Sequence, residues 1–96
     1  MKTPESYVKD PVRKYLKGLG AYVFSPVQMG MGSPTLDDLI CYQGRFIGVE
    51  YKAPGKYPTP RQRLTMDVIR RAGGLAFWGD SAEMIIEDIK KTFGLP

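Results

Sequence analysis

The segment Thr35–Lys52, with the sequence TLDDLICYQGRFIGVEYK, decides the fold of this 96-residue chain. Two β-rich runs, Leu36–Tyr42 and Phe46–Lys52, flank the pair Gln43-Gly44. A two-residue connection between such runs is typical of a β-hairpin, because it reverses the chain while the strands remain paired. The segment therefore predicts two antiparallel neighbouring strands, with the rest of the chain packed around them.

Charged side chains interrupt the second of these strands at Glu50 and Lys52. Side chains alternate between the two faces of a strand, so both charges lie on one face. They cost free energy there unless they are paired or hold an ion. Together with an acidic residue of the neighbouring strand, they would form a carboxylate cluster suited to Mg²⁺ and to phosphodiester hydrolysis. The residues predicted on the opposite, apolar face are Ile47, Val49 and Tyr51.

The segment before the hairpin predicts a helix, a strand and a loop. Thr3 is a suitable N-cap, and apolar residues recur after it at helical spacing. Pro11 leaves two alternatives, a kinked helix or a second helix that begins with Asp10 as N-cap. The β-rich run Ala21–Val27 predicts the first strand, and the glycine-containing run Gln28–Pro34 predicts a loop.

The segment after the hairpin predicts a helix, a strand and a last helix. A capping-box pattern at Thr59–Gln62 begins the second helix. Leu75–Trp78 predicts a short buried strand, and Asp80 or Ser81 begins the last helix. The order α-β-β-β-α-β-α favours an α/β fold with a mixed central sheet flanked by helices. The residues of the second helix predicted to face the core are Leu64, Val68, Ile69 and Ala72.

The composition limits the classes of protein to which this chain can belong. Its length predicts a single domain over residues 1–96, and no apolar run approaches the roughly 20 residues that cross a membrane. The N-terminus lacks the apolar segment of a signal peptide, and the single cysteine, Cys41, is expected to be a small buried apolar residue in a reducing cytoplasm. The absence of histidine excludes histidine-based mechanisms, and the net charge of +4 mildly indicates a polyanionic partner.

These residues resemble the PD-(D/E)xK nuclease superfamily and, more closely, the stand-alone VRR-NUC domains of phages and bacteria. The resemblance covers nearly the whole chain, and its most specific part is the block Cys41–Gln62. The sequence departs from the family in two respects, because Leu36 rather than a proline precedes Asp37 and because Pro11 interrupts the first helix. The matching segments are Thr35-Leu36-Asp37, Cys41-Tyr42-Gln43-Gly44-Arg45-Phe46, Glu50-Tyr51-Lys52-Ala53-Pro54-Gly55-Lys56 and Pro58-Thr59-Pro60-Arg61-Gln62.

The resemblance implies roles for residues of the hairpin. Asp37 and Glu50 would bind a catalytic divalent ion, Mg²⁺ or Mn²⁺, and the backbone carbonyl of Tyr51 would be a further ligand. Lys52 would position the attacking water or stabilise developing charge. Oxygen ligands of this kind are those that Mg²⁺ prefers.

The resemblance also implies roles for residues of the two flanking helices. Glu5 would be a further metal ligand, unless Pro11 redirects the first helix away from the site. Gln62 would join the catalytic residues, although a capping box alone also explains a glutamine at this position. Asp38 is an alternative to Asp37, and the spacing to Glu50 favours Asp37.

The function implied is a divalent-metal-dependent DNA endonuclease that contacts the DNA backbone. Because stand-alone members of the family resemble Holliday-junction resolvases, we expect a homodimer that prefers branched DNA, in the cytoplasm of a bacterial host cell and possibly encoded by a phage. No membrane and no small-molecule cofactor is expected. The alternative is a non-catalytic nucleic-acid-binding module that retains the nuclease fold.

Overall fold

The computed structural model describes residues 2–27 and 34–96. Its elements are α1 (Pro4–Gly18), β1 (Tyr22–Phe24), β2 (Asp38–Tyr42), β3 (Arg45–Tyr51), α2 (Pro60–Arg71), β4 (Leu75–Gly79) and α3 (Ala82–Phe93). The strands form a sheet in the order β1-β2-β3-β4, in which β2 is antiparallel to β1 and to β3, and β3 is parallel to β4. The predicted element order and the mixed sheet are therefore confirmed.

The hairpin of β2 and β3 forms as predicted, with strand limits shifted by one or two residues. Its register pairs Tyr42 with Arg45 and Asp38 with Val49. Gln43 and Gly44 have φ angles of 53° and 72°, the positive values that a type I′ turn needs at both central positions. This turn fixes which residues of β2 lie opposite which residues of β3.

The two faces of the sheet are covered differently. α1 and α3 pack on one face and enclose the larger core, whereas α2 packs on the other face against β3 and β4. Gly48 of β3 lies on the α2 side, where a Cβ atom would be 2.7 Å from Leu36 Cδ1 and 2.9 Å from Ile69 Cδ1. The missing side chain thus lets these two residues approach the strand closely. The buried residues of the larger core are Val8, Val12, Leu16, Ile40, Ile47, Val49, Tyr51, Ile85 and Ile89.

α1 is one continuous helix through Pro11, so the alternative of a second helix that begins with Asp10 as N-cap is wrong. Thr3 is the N-cap, and its side chain accepts a hydrogen bond from the Ser6 N–H. Pro11 is exposed, so its ring lies away from the buried face of the helix. Proline cannot donate a backbone hydrogen bond, and the packing of that face against the sheet offsets the free energy that this loss costs. The buried residues of α1 are Val8, Val12 and Leu16.

The first strand is shorter than predicted. It spans Tyr22–Phe24 rather than Ala21–Val27, because only these residues pair with β2, opposite the run Leu39–Cys41. The predicted loop Gln28–Pro34 lies outside the described residues, apart from its last residue. Strand limits are set by pairing partners, which a β-rich composition alone does not identify.

The prediction for the core-facing stripe of α2 is wrong at Leu64, Val68 and Ala72, all of which are exposed. Met66 is the buried residue of this helix, and Ile69 packs beside it. The apolar residues of α2 fall on more than one side of the helix, so their spacing does not identify the side that meets the sheet. None of the helices in the described ranges combines the length and the apolarity needed to cross a membrane.

The part of the sheet that α2 leaves uncovered forms an open apolar face. Cys41 lies on it and is exposed, so its predicted burial is wrong. Tyr22, Phe24 and Phe46 surround it and are 67%, 50% and 48% exposed. The open apolar face consists of Tyr22, Phe24, Leu39, Cys41 and Phe46.

Candidate active site

The hairpin brings Asp37 and Glu50 together at one end of the sheet. Asp38 pairs with Val49, so Asp37, one residue earlier, lies opposite Glu50, one residue later. The main-chain N–H of Tyr51 donates a hydrogen bond to Asp37 Oδ2 at 2.9 Å, which holds this carboxylate beside β3. Two carboxylates from neighbouring strands are therefore adjacent at this point.

Glu50 is buried, with 3% of its surface exposed. Its Oε2 accepts a hydrogen bond from Gln62 Nε2 at 3.0 Å and lies 3.6 Å from Lys52 Nζ. Within the described residues, Oε1 is buried and has no hydrogen-bond partner. Burial and, second, the neighbouring Asp37 carboxylate raise the pKa of Glu50 to about 8, whereas Lys52 lowers it. The ionised carboxylate is thus costly in this site unless a further positive group meets it.

Gln62 forms the predicted capping box and also contacts Glu50. Its Oε1 accepts a hydrogen bond from the Thr59 N–H at 2.9 Å, and Thr59 Oγ1 accepts one from the Gln62 N–H at 3.2 Å, which completes the capping box. The other side-chain atom, Nε2, donates to Glu50. The helix cap therefore fixes the orientation of the amide that contacts the carboxylate.

Asp38 is fully buried and points to the opposite face of the hairpin from Asp37. Its carboxylate accepts hydrogen bonds from Arg13 Nε at 2.8 Å, Arg13 Nη2 at 2.7 Å, Ser25 Oγ at 2.7 Å and the Tyr51 hydroxyl at 2.6 Å. Burial would raise the pKa of Asp38, but these hydrogen bonds outweigh it and the pKa is lowered. Asp38 links α1 to the hairpin and does not face Glu50.

Glu5 of α1 and Tyr51 of β3 lie around one cavity with Asp37. Glu5 is exposed in the first turn of α1, and it lines a cavity of about 230 Å³ together with Asp37 and Tyr51. The Tyr51 side chain points into the core, where burial and the hydrogen bond to Asp38 raise the pKa of its hydroxyl. Its peptide group lies at the site, because its N–H contacts Asp37.

The donor atoms of this site fit a small divalent ion, although they do not form a closed cage. Within residues 2–27 and 34–96, no group of three or more acidic, cysteine or histidine side chains lies close enough to hold a metal ion. Mg²⁺ commonly takes one or two carboxylates and completes its shell with water and substrate oxygens. The pair Asp37 and Glu50 provides such ligands, and the buried, unpartnered Glu50 Oε1 supports the fit.

Sequence reasoning missed the polar network behind the site. No role was assigned to Arg13 from the sequence, whereas its side chain is only 26% exposed and pairs with Asp38. The hydrogen bond to Asp38 raises the pKa of Arg13, more than burial lowers it. A signal was present, because Asp38 shares its strand face with the core residue Ile40 and needs a buried partner there.

Comparisons with known proteins agree with this architecture. No protein-family model matches the sequence, and no curated protein matches it. The fold is similar to a solved structure described as "VRR_NUC domain", with a TM-score of 0.79 and 24% sequence identity. The match covers 93% of this chain and 97% of that chain. The fold that the sequence resemblance implied is therefore confirmed.

Proposed function

We propose that this chain, which has the fold of a VRR-NUC domain, is a divalent-metal-dependent DNA endonuclease that acts in the cytoplasm of a bacterial host cell. The observation that carries the proposal is the adjacent pair Asp37 and Glu50, with one buried oxygen of Glu50 unpartnered and Lys52 beside the other. Buried polar atoms in folded proteins are nearly always hydrogen-bonded, so an oxygen without a partner among the described residues supports a role in binding an ion.

Each residue of the site has a distinct task in this proposal. Asp37, Glu50 and the Tyr51 carbonyl would hold Mg²⁺ or Mn²⁺ directly, Glu5 would contact a water molecule of that ion, and Gln62 orients Glu50. Bound there, the ion would polarise the scissile phosphate and lower the pKa of an attacking water. Lys52, whose side chain is 13% exposed, holds a positive charge where the attacking water and the developing phosphate charge would lie.

The charge of the chain supports DNA as its partner. The net charge is +4, and Arg61 and Arg63 are exposed in the first turn of α2, next to Gln62. Such side chains bind phosphates without reading bases. We therefore expect recognition of DNA shape, with branched DNA such as a Holliday junction preferred over linear duplex.

The test is cleavage of labelled four-way junction, flap, nicked and linear duplex DNA in Mg²⁺, Mn²⁺ or EDTA, with Glu50→Gln as the matched variant. Cutting that needs both the metal and Glu50 is the expected result, with the junction cut fastest. If the folded wild-type protein binds these substrates but cuts none of them in either metal, the chain is a binding module that retains the nuclease fold.

Replacement of Lys52 by methionine should lower kcat by about 10²- to 10⁴-fold, because it removes the positive charge while keeping the length of the side chain. Mn²⁺ binding, measured by calorimetry, should persist because Lys52 is not a ligand. Lys91→Met is the control, since Lys91 is an exposed lysine of α3. Wild-type rates for Lys52→Met would remove Lys52 from the mechanism.

The open apolar face supports the expected homodimer. A stable interface needs about 800 Å² from each partner, and a fully exposed aromatic side chain buries roughly 150–250 Å², so these half-exposed rings supply part of that area. Tyr22, Phe24 and Phe46 could form the centre of such an interface with a second copy of the chain. We expect a dimer by light scattering and a folded monomer for Phe24→Glu. A wild-type monomer in physiological salt would contradict the dimer.

A further inference from the structure

The cavity beside Asp37 is bordered by one stripe of α1. Glu5, Lys9 and Arg13 follow at intervals of four residues, so they lie on the same side of the helix. All three line the cavity of about 230 Å³, together with Asp37. Lys9 and Arg13 therefore extend along α1 from Glu5, the residue of the stripe that is proposed to lie next to the metal site. The remaining lining residues are Thr3, Ser25, Pro26 and Tyr51.

The two cations of this stripe are in different situations. Arg13 Nε and Nη2 both donate hydrogen bonds to Asp38, which compensates the charge of Arg13, and Nη2 donates a further hydrogen bond to Ser25 Oγ. In the described part of the chain, the Lys9 ammonium has no carboxylate within 4.0 Å, whereas Lys2 has Asp10 at 3.1 Å. Lys9 is therefore the cation of the cavity that is available to a ligand.

The surroundings of Lys9 favour an anion that reaches the site together with a divalent ion. Glu5 and Asp37 line the same cavity, so without a metal they oppose the approach of a negative group. Lys9 compensates part of this repulsion, and a flexible ammonium is a common contact for a phosphate. A site for a free anion would gain nothing from the carboxylates of Glu5 and Asp37. A DNA strand that crosses a metal site would contact the metal held near the carboxylates with one phosphate and Lys9 with the next.

We propose that this cavity is a subsite for one backbone phosphate of DNA, with Lys9 as its charged contact and the Arg13–Ser25–Asp38 network as its rigid wall. It rests on the proposed function, because it places a phosphate next to the one that would be cleaved at Asp37 and Glu50. Lys9 is a positioning residue here. It binds the strand beside the reacting phosphate and leaves the reacting atoms to the hairpin.

The first test is DNA binding by fluorescence anisotropy in Ca²⁺, a divalent ion that oxygen ligands bind, over a range of salt concentrations, with a gel to check that the DNA stays uncut. Lys9→Ala should weaken binding and reduce the slope of log K against log salt concentration by about 0.9, the value for one lost phosphate contact. Lys14→Ala is the control, because Lys14 lies on the same helix, is exposed and does not line the cavity. Lys9→Arg should restore the slope.

The second test uses cleavage in Mg²⁺. Lys9→Ala should raise KM for DNA several-fold, with kcat within about twofold of wild type, because the interaction is made equally in the ground and transition states. Substrates with one neutral methylphosphonate at successive positions then identify the phosphate. At the position that faces Lys9, the modification and Lys9→Ala should each weaken binding, and the two together should cost no more than one alone.

The outcomes separate this proposal from the nuclease proposal. If Lys9→Ala matches Lys14→Ala in salt slope and KM, or if no methylphosphonate position couples to Lys9, the subsite is overturned. Absence of DNA binding by the wild-type protein in Ca²⁺ would overturn it as well. If the slope changes as expected but no substrate is ever cut, the phosphate site stands and the nuclease assignment fails.

Discussion

Replacement of Glu50 by glutamine is expected to abolish metal-dependent DNA cleavage while it stabilises the metal-free protein at alkaline pH. The change keeps the shape of the side chain and an oxygen that can accept from Gln62 Nε2. It removes the charge that would hold the ion and that burial and Asp37 make costly. The loss of activity should be at least about 10³-fold, the scale on which one essential electrostatic group acts.

The pH dependence of the stabilising effect follows from the raised pKa of Glu50. The folded protein holds this proton up to a pH of about 8, whereas the unfolded chain releases it near the usual value of 4.5. The protonated group therefore stabilises the fold fully below pH 4.5, and this contribution is lost as the pH rises to about 8. Glutamine carries no such penalty, so the difference between variant and wild type should grow over this interval.

The measurement is the melting temperature of wild type and Glu50→Gln in EDTA at pH 5 and pH 8.5. The two should nearly coincide at pH 5. At pH 8.5 the variant should melt higher by about 4–8 °C, which corresponds to about 1 kcal/mol in a domain of this size. Added Mn²⁺ should raise the melting temperature of the wild type and not that of the variant. A wild type that is the more stable protein at pH 8.5 in EDTA would contradict this account of Glu50.

The second large effect is expected at Asp38, where alanine should destabilise the fold by about 3 kcal/mol or more. Asp38 is fully buried and accepts hydrogen bonds from Arg13, Ser25 and Tyr51. Its removal leaves a guanidinium and a buried phenol without their acceptor, and an unpaired buried charge is costlier than a pair removed as a whole. The melting temperature should fall by on the order of 10–20 °C.

Asp37→Asn is the matched comparison for Asp38→Ala, because the two residues are neighbours with different surroundings. Asp37 lies beside Glu50 and contacts the Tyr51 N–H, which asparagine can also reach through its amide oxygen. We expect Asp37→Asn to lose cleavage and to keep its stability, and Asp38→Ala to lose stability first. A stable Asp38→Ala without activity, together with an active Asp37→Asn, would reverse the assignment of the two aspartates.

Asp38 also makes the stability sensitive to acid. Because its pKa is lowered in the folded state, its contribution to stability is present above the pKa that it has in the unfolded chain. It is lost as the pH falls through the folded-state value. The Asp38→Ala variant should therefore differ most from wild type at neutral pH, and chemical denaturation at neutral and acidic pH measures that difference.

The local sequence determined the hairpin, the helix starts and the pair of carboxylates. A two-residue turn fixes a register, and that register alone brings Asp37 opposite Glu50. Thr3 and Thr59 cap their helices through side chains that reach only three residues ahead. The turn and the helix caps depend only on residues two or three positions apart, so they can be predicted from the sequence.

Only the tertiary structure decided which side of each helix meets the sheet and which charges pair across long separations in the chain. Leu64 and Val68 look like core residues in sequence, but α2 presents Met66 and Ile69 to the sheet instead. Arg13 reaches Asp38, 25 residues away in sequence, because α1 packs across the hairpin. The packing of α1 buries the pair Arg13 and Asp38, whereas it leaves Lys9 at the cavity. The tertiary packing, and not the local sequence, therefore decides which polar groups are removed from water.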